Sequence, residues 1–226
     1  MTVVVIPIYE NVTQLDFTAP HQFLTMIPDI EVIVASVGGI AVTSTGLTFE
    51  KLADLEAIQR CDVLCIPGGL GCIDAMENDR FMTAVRRLAD TATYQTSVCS
   101  GSLILGAADL LNGRRAASHW AWRDLLQTFG AIPDSSRVVR DKNIITGGGV
   151  TAGADFALTL ISELRGEDAA QCVQLALEYA PAPPFNAGNA DTAPAHIRSM
   201  VTGQLNELMG NARQRLDEIA SRSALA

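Results

Sequence analysis

The stretch Thr96-Ser97-Val98-Cys99-Ser100-Gly101-Ser102 constrains the fold of this chain more than any other. A short apolar strand runs into it, a helical pattern runs out of it, and small residues stand two places before and two places after the cysteine. A side chain carried on so sharp a strand-to-helix turn needs small neighbours, because bulky ones collide as the backbone reverses. The pattern predicts Cys99 at the carboxyl end of a strand. The helix from Ser100 to about Leu111 would then aim its free N–H groups back at the sulfur. Such a setting stabilises a thiolate, so the sequence predicts a Cys99 pKa below that of an ordinary thiol. A small buried cysteine filling a strand end is the plain alternative, and the elbow context favours the reactive one.

Around this elbow, apolar strands alternate with helices. Residues 3–8, Val32–Ser36, Val63–Ile66 and Tyr94–Val98 read as strands, with short ones at Ile40-Val42 and Leu47-Phe49. Thr18–Ile27 and Arg80–Thr91 read as helices between them. After the elbow helix come a strand at Arg115–Ser118, a helix at Ala121–Phe129 and strands at Arg137–Arg140 and Ile144–Thr146. Helices then follow at Thr151–Leu164, Asp168–Leu177 and about Pro194–Ala220. Alternation at these lengths predicts an α/β fold: a mostly parallel sheet covered by helices on both faces, a flavodoxin-like three-layer sandwich. The 226 residues suit one domain, 1–226. From about 180 to 226 it carries an extended arm and a helix, because Ala180-Pro181-Ala182-Pro183-Pro184 cannot be helical.

Composition narrows the partners. The chain is 48% apolar and 18% charged with a formal net charge of −9, and no basic cluster exceeds Arg86-Arg87 or Arg114-Arg115. Nucleic acid and anionic membrane are therefore poor partners. The opening Thr2–Ile8 has neither a basic flank nor a cleavage site, so no signal peptide is expected. Five cysteines without a C-x-x-C pair fit reduced thiols in the cytoplasm rather than disulfides or a zinc site. Gly147-Gly148-Gly149 opens a helix, yet no phosphate-binding pattern follows it, so no nucleotide is expected, and the cysteine spacing gives no reason to expect a metal.

In a doubly wound sheet, ligands sit outside the carboxyl ends of the strands. Asp16 falls in the loop after the first strand, Gly68-Gly69 ends another, and Cys99-Ser100 ends a third. Asp16 reads either as a helix cap or as a partly desolvated acid beside the sulfur. The N–H groups of Gly69 and Ser100 together would form an oxyanion-type hole. His119 lies at a strand end but nothing sets it against Cys99, so it reads as a packing residue rather than a base. Val150 is a candidate to pack against Cys99.

These residues resemble a known family. Pro67-Gly68-Gly69, the Ser97–Gly101 elbow and Arg114-Arg115-Ala116-Ala117-Ser118-His119-Trp120 look like the ThiJ/PfpI superfamily, within the class I glutamine-amidotransferase-like fold. Within it, Gln14–His21, Thr146–Gly153 and Leu177–Gly188 look most like the isonitrile hydratases. That resemblance implies a homodimeric hydro-lyase that converts isonitriles to N-substituted formamides without metal or organic cofactor. It implies Cys99 as nucleophile, forming a covalent thioimidate, and Asp16 as general acid/base. The hydratases often carry threonine where this chain has Ser100. The superfamily's peptidases carry histidine there, so peptidase activity is not expected. Glyoxalase-type chemistry on small aldehydes and a non-catalytic cysteine-based ligand or redox sensor are the competing readings.

Overall fold

The structure is a computed structural model and describes residues 1–223, so the last three residues of the expected 1–226 unit lie outside the described residues. The chain opens with β1 (Thr2–Pro7), α1 (Gln14–Leu24) and β2 (Ile30–Ser36). The hairpin β3 (Val42–Ser44) and β4 (Leu47–Phe49) follows, then β5 (Ala53–Asp54) and β6 (Val63–Ile66). Next come α2 (Cys72–Glu77), α3 (Asp79–Thr91), β7 (Tyr94–Val98), α4 (Gly101–Ala107) and β8 (Arg115–Ala116). A 3-10 helix (Arg123–Phe129) leads to β9 (Ile132–Pro133), β10 (Val138–Asp141) and β11 (Ile144–Gly147). Four helices finish the chain: α5 (Ala152–Arg165), α6 (Glu167–Ala176), α7 (Ala195–Met209) and α8 (Ala212–Ser223).

Seven strands form the central sheet in the order β10-β11-β7-β6-β1-β2-β5, parallel except for β10. All four residues of β6 are fully buried, as a parallel strand covered on both faces must be. From β1 the chain steps outward to β2 and β5, then returns to the other side of β1 with β6. The crevice at that reversal is where such sheets hold ligands. The ends of β1, β6, β7 and β11 meet there, so the topology itself gathers the candidate residues.

Several boundaries differ from the sequence reading. The helix expected over Thr18–Ile27 runs from Gln14 to Leu24, which places Pro20 inside it. Its ring packs so closely on α5 that a Cβ added at Gly153 would lie 3.3 Å from it. The elbow helix stops at Ala107 rather than Leu111. The segment expected as a helix over Ala121–Phe129 is a 3-10 helix. The long final helix is two, broken at Gly210, whose φ of +46° and ψ of −116° no helix accommodates. Of these two, α8 is anchored by buried Ala212, Leu216 and Ile219 and by Arg215, which pairs with Asp74 at 2.6 Å and Glu77 at 2.7 Å. By contrast, α7 has no buried residue.

Candidate active site

Cys99 has φ +59°, the left-handed region that costs a non-glycine residue about 1–3 kcal/mol. The surroundings hold it there. Its N–H donates to the carbonyls of Gly147 (3.1 Å) and Gly148 (2.8 Å). Its own carbonyl accepts from Ser118 Oγ at 3.0 Å and Ser102 Oγ at 3.2 Å. Four contacts to one residue fix the elbow and aim the side chain into the crevice. Ser118 belongs to the Arg114–Trp120 stretch singled out in the sequence, and securing this carbonyl is its role.

Asp16 is not a loop carboxylate. It lies in the first turn of α1 and is fully buried. Its Oδ2 accepts the Gly68 N–H at 2.9 Å, while Oδ1 has no N–H or O–H partner. Burial pushes its pKa up from 3.8 to about 7; the Gly68 N–H and the Cys99 thiol pull the other way without winning. The glycine is needed because a Cβ at position 68 would stand 2.5 Å from Ser100 N, 2.6 Å from Ser100 Oγ and 2.9 Å from Asp16 Oδ2.

The expectation of a depressed Cys99 pKa is overturned. The thiol is held well above its ordinary value, first by burial and then by the negative charge of Asp16. The Ser100 N–H does lower it, as the elbow argument required, but a seven-residue helix start is outweighed by the burial of a cysteine only 5% exposed.

Ser100 is buried, and its hydroxyl binds back to the Gly68-Gly69 turn. Oγ accepts the Gly69 N–H at 3.0 Å and lies 3.4 Å from the Gly69 carbonyl. At rest, therefore, the Gly69 N–H is engaged rather than free. His119 sits half-buried with Nδ1 accepting the Ala121 N–H at 3.3 Å, and burial lowers its pKa. Val150 is partly buried against the core.

The sequence assigns no role to Tyr9 and leaves Cys72 an ordinary buried thiol, yet both lie near the site. Tyr9, two places beyond β1, is buried and donates its hydroxyl to the Pro67 carbonyl at 2.8 Å. Cys72, at the start of α2, is buried; its thiol is pushed up to about 11 by desolvation, against a hydrogen bond with Ser100. Neither carries a local motif, since only the fold of β1 against β6 brings them together. A separate apolar cleft of about 780 Å³ runs along Leu15, Ala19, Phe23, Ala154, Tyr179 and Pro181, and neither Cys99 nor Asp16 lines it. Among the described residues, no group of three or more His, Cys, Asp or Glu side chains is arranged to hold a metal ion.

Comparison with known proteins identifies the family. The chain is 52% identical over 191 residues to an isonitrile hydratase of Pseudomonas putida, covering 84% of each protein. It superposes on a crystal structure of a ThiJ/PfpI family protein from Pseudomonas syringae with a TM-score of 0.91 and 40% identity, covering 97% of this chain and 90% of that one. The Drosophila melanogaster DJ-1beta structure shares the fold at a TM-score of 0.70 and 24% identity, covering 80% of this chain and 99% of that one. Residues 2–163, from β1 through most of α5, match the DJ-1/PfpI family, and the chain belongs to that family.

Proposed function

We propose that this protein hydrates isonitriles to N-substituted formamides, with Cys99 as nucleophile and Asp16 as proton carrier. The Cys99–Asp16 pair carries the reading. In a chain half-identical to an isonitrile hydratase, an elbow cysteine lies beside a fully buried carboxyl whose Oδ1 has no N–H or O–H partner. With Asp16 near 7 and Cys99 higher, the pair passes from two protons to one as pH rises through about 7. Thiol with carboxylate and thiolate with carboxylic acid are two arrangements of that one-proton state.

The terminal isonitrile carbon is a weak electrophile, so attack is coupled to protonation. Sulfur bonds to that carbon as Asp16 passes the shared proton to the same carbon, and the C–N triple bond becomes the double bond of a thioimidate. Asp16, now ionised, takes a proton from water as the water oxygen bonds to the thioimidate carbon, and the nitrogen receives that proton. The adduct collapses: the C–S bond breaks with its electron pair returning to sulfur, the hydroxyl proton returns to the pair, and the formamide leaves. The Ser100 N–H orients the adduct oxygen. The Gly69 N–H joins it when that oxygen displaces the Ser100 hydroxyl.

We also infer a homodimer. A helix of 15 residues with no buried side chain is marginal in water, and Ile197, Met200, Val201 and Leu208 form an exposed apolar stripe along α7. A second copy is the cover that the family resemblance implies. All five cysteines are free and four are buried, which supports a reducing, cytoplasmic setting. Among the described residues no helix is long and apolar enough to cross a membrane. Incubating pure protein with a simple alkyl isonitrile and measuring the formamide tests the reading. Absence of product overturns it in favour of aldehyde chemistry or a sensing role.

A further inference from the structure

Tyr9 and Asp16 meet the two ends of one peptide group. The Tyr9 hydroxyl donates to the Pro67 carbonyl at 2.8 Å, and the N–H on the other side of that same peptide, Gly68 N–H, donates to Asp16 Oδ2 at 2.9 Å. All the side-chain and backbone atoms involved are buried. Tyr9 is itself fixed by an edge-on contact with Phe81, ring centroids 5.5 Å apart at 86°. We propose that Tyr9 is a positioning residue for the hydration reaction, holding and polarising the Pro67–Gly68 peptide so that its N–H grips the Asp16 carboxylate.

The physical case rests on cooperativity. A carbonyl that accepts a hydrogen bond draws electron density from its amide, and the N–H becomes a stronger donor by about 10–30%. The bond it strengthens is charge-assisted, because its acceptor is the ionised carboxylate. Tyr9 therefore favours the charged form of Asp16, against the burial that disfavours it. The effect is not masked by other charges. The titratable groups that face this pocket are Cys99 at the elbow, Cys65 on β6, Cys72 at the start of α2 and Tyr9 itself, and no cationic side chain is among those acting on Asp16.

This inference rests on the assignment of Asp16 as proton carrier, so its test separates the two. The substitution is Tyr9→Phe, which keeps the ring against Phe81 and removes only the hydroxyl. The rate of Cys99 alkylation by iodoacetamide, followed on the Cys99 peptide by mass spectrometry, is measured from about pH 5.5 to 8.5, alongside kcat for isonitrile hydration over the same range. Wild type should show a limb near 7 in both, as Asp16 ionises. Tyr9→Phe should move both limbs upward by about half a pH unit, an about threefold loss of rate below the limb, with the plateau nearly restored. Phe81→Leu, which loosens the packing of Tyr9 but spares its hydroxyl, should lower Tm and leave the limbs where they are. A Tyr9→Phe protein that is folded by circular dichroism with limbs unmoved overturns the role of Tyr9. Limbs that move equally in Phe81→Leu reduce Tyr9 to a packing residue. A wild type with no limb near 7 in the alkylation profile overturns the Asp16 assignment instead.

Discussion

Asp16→Asn should make this protein more stable at neutral and alkaline pH while it destroys turnover. The folded pKa of Asp16 is raised from 3.8 to about 7, so the folded state holds a proton that the unfolded state releases. Such a group costs nothing below the unfolded pKa. Its penalty grows as pH rises and levels off above the folded pKa. At about 1.36 kcal/mol for each pH unit, the rise from 3.8 to about 7 amounts to about 4 kcal/mol above pH 8, of which about 2 kcal/mol develops between pH 5.5 and 8.5. Asparagine has no such penalty. Its carbonyl oxygen still accepts the Gly68 N–H, and its new amide donor, unpaired in the pocket, subtracts a constant about 1–3 kcal/mol. The constant cancels when only the pH dependence is read. Urea unfolding of both proteins across that range should therefore show the variant gaining about 2 kcal/mol on wild type from pH 5.5 to 8.5. Hydration should fall about 10²–10⁴-fold, the usual loss when a general acid/base is removed. A stability difference independent of pH refutes the raised pKa, and turnover near wild type refutes the catalytic assignment.

Four further outcomes follow from the same geometry. Cys99→Ala and Cys99→Ser should abolish formamide production, measured by product chromatography, since no other group forms the thioimidate. The wild-type kcat should rise as pH climbs through about 7, because the doubly protonated pair has no base to accept the thiol proton; a flat profile there contradicts the shared-proton state. Gly68→Ala drives a methyl to 2.5 Å from Ser100 N and 2.9 Å from Asp16 Oδ2. It should cost about 1–3 kcal/mol of stability in urea titration and at least about 10²-fold in rate. Sedimentation velocity at micromolar concentration should show a dimer that Met200→Glu weakens, and a wild-type monomer would refute the cover assigned to α7.

How far the sequence reveals this site depends on whether the determinant is local. The Cys99 elbow was legible because a strained turn demands small neighbours within two residues, and those neighbours are contiguous in the chain. The parallel sheet was legible for the same reason, each strand being a short apolar run between helical ones. Asp16 was half legible: its place after β1 is a matter of order, but whether it caps a helix or lies buried depends on what covers it. The cover comes from Gly68 and the elbow, 52 and 83 residues further along, and no local pattern encodes it. Tyr9 was invisible, and Cys72 legible only as a buried thiol, because their partners, the Pro67 carbonyl and Ser100, lie 58 and 28 residues away. The Cys99 pKa is the instructive failure. Local reading supplied the donor that lowers it, the Ser100 N–H, and omitted the two larger influences, burial and the Asp16 charge, which arise only when distant segments close over the sulfur. The reversal alters the chemistry more than it alters the assignment of residues. A cysteine poised as a thiolate would be open to any electrophile or oxidant. In the proposed reaction, a thiol that gives up its proton to the Asp16 carboxyl is instead activated together with the acid that protonates the substrate carbon. The same burial that withholds charge from sulfur raises Asp16 into the range where it exchanges a proton at neutral pH, so one desolvated crevice would set both halves of the proposed reaction.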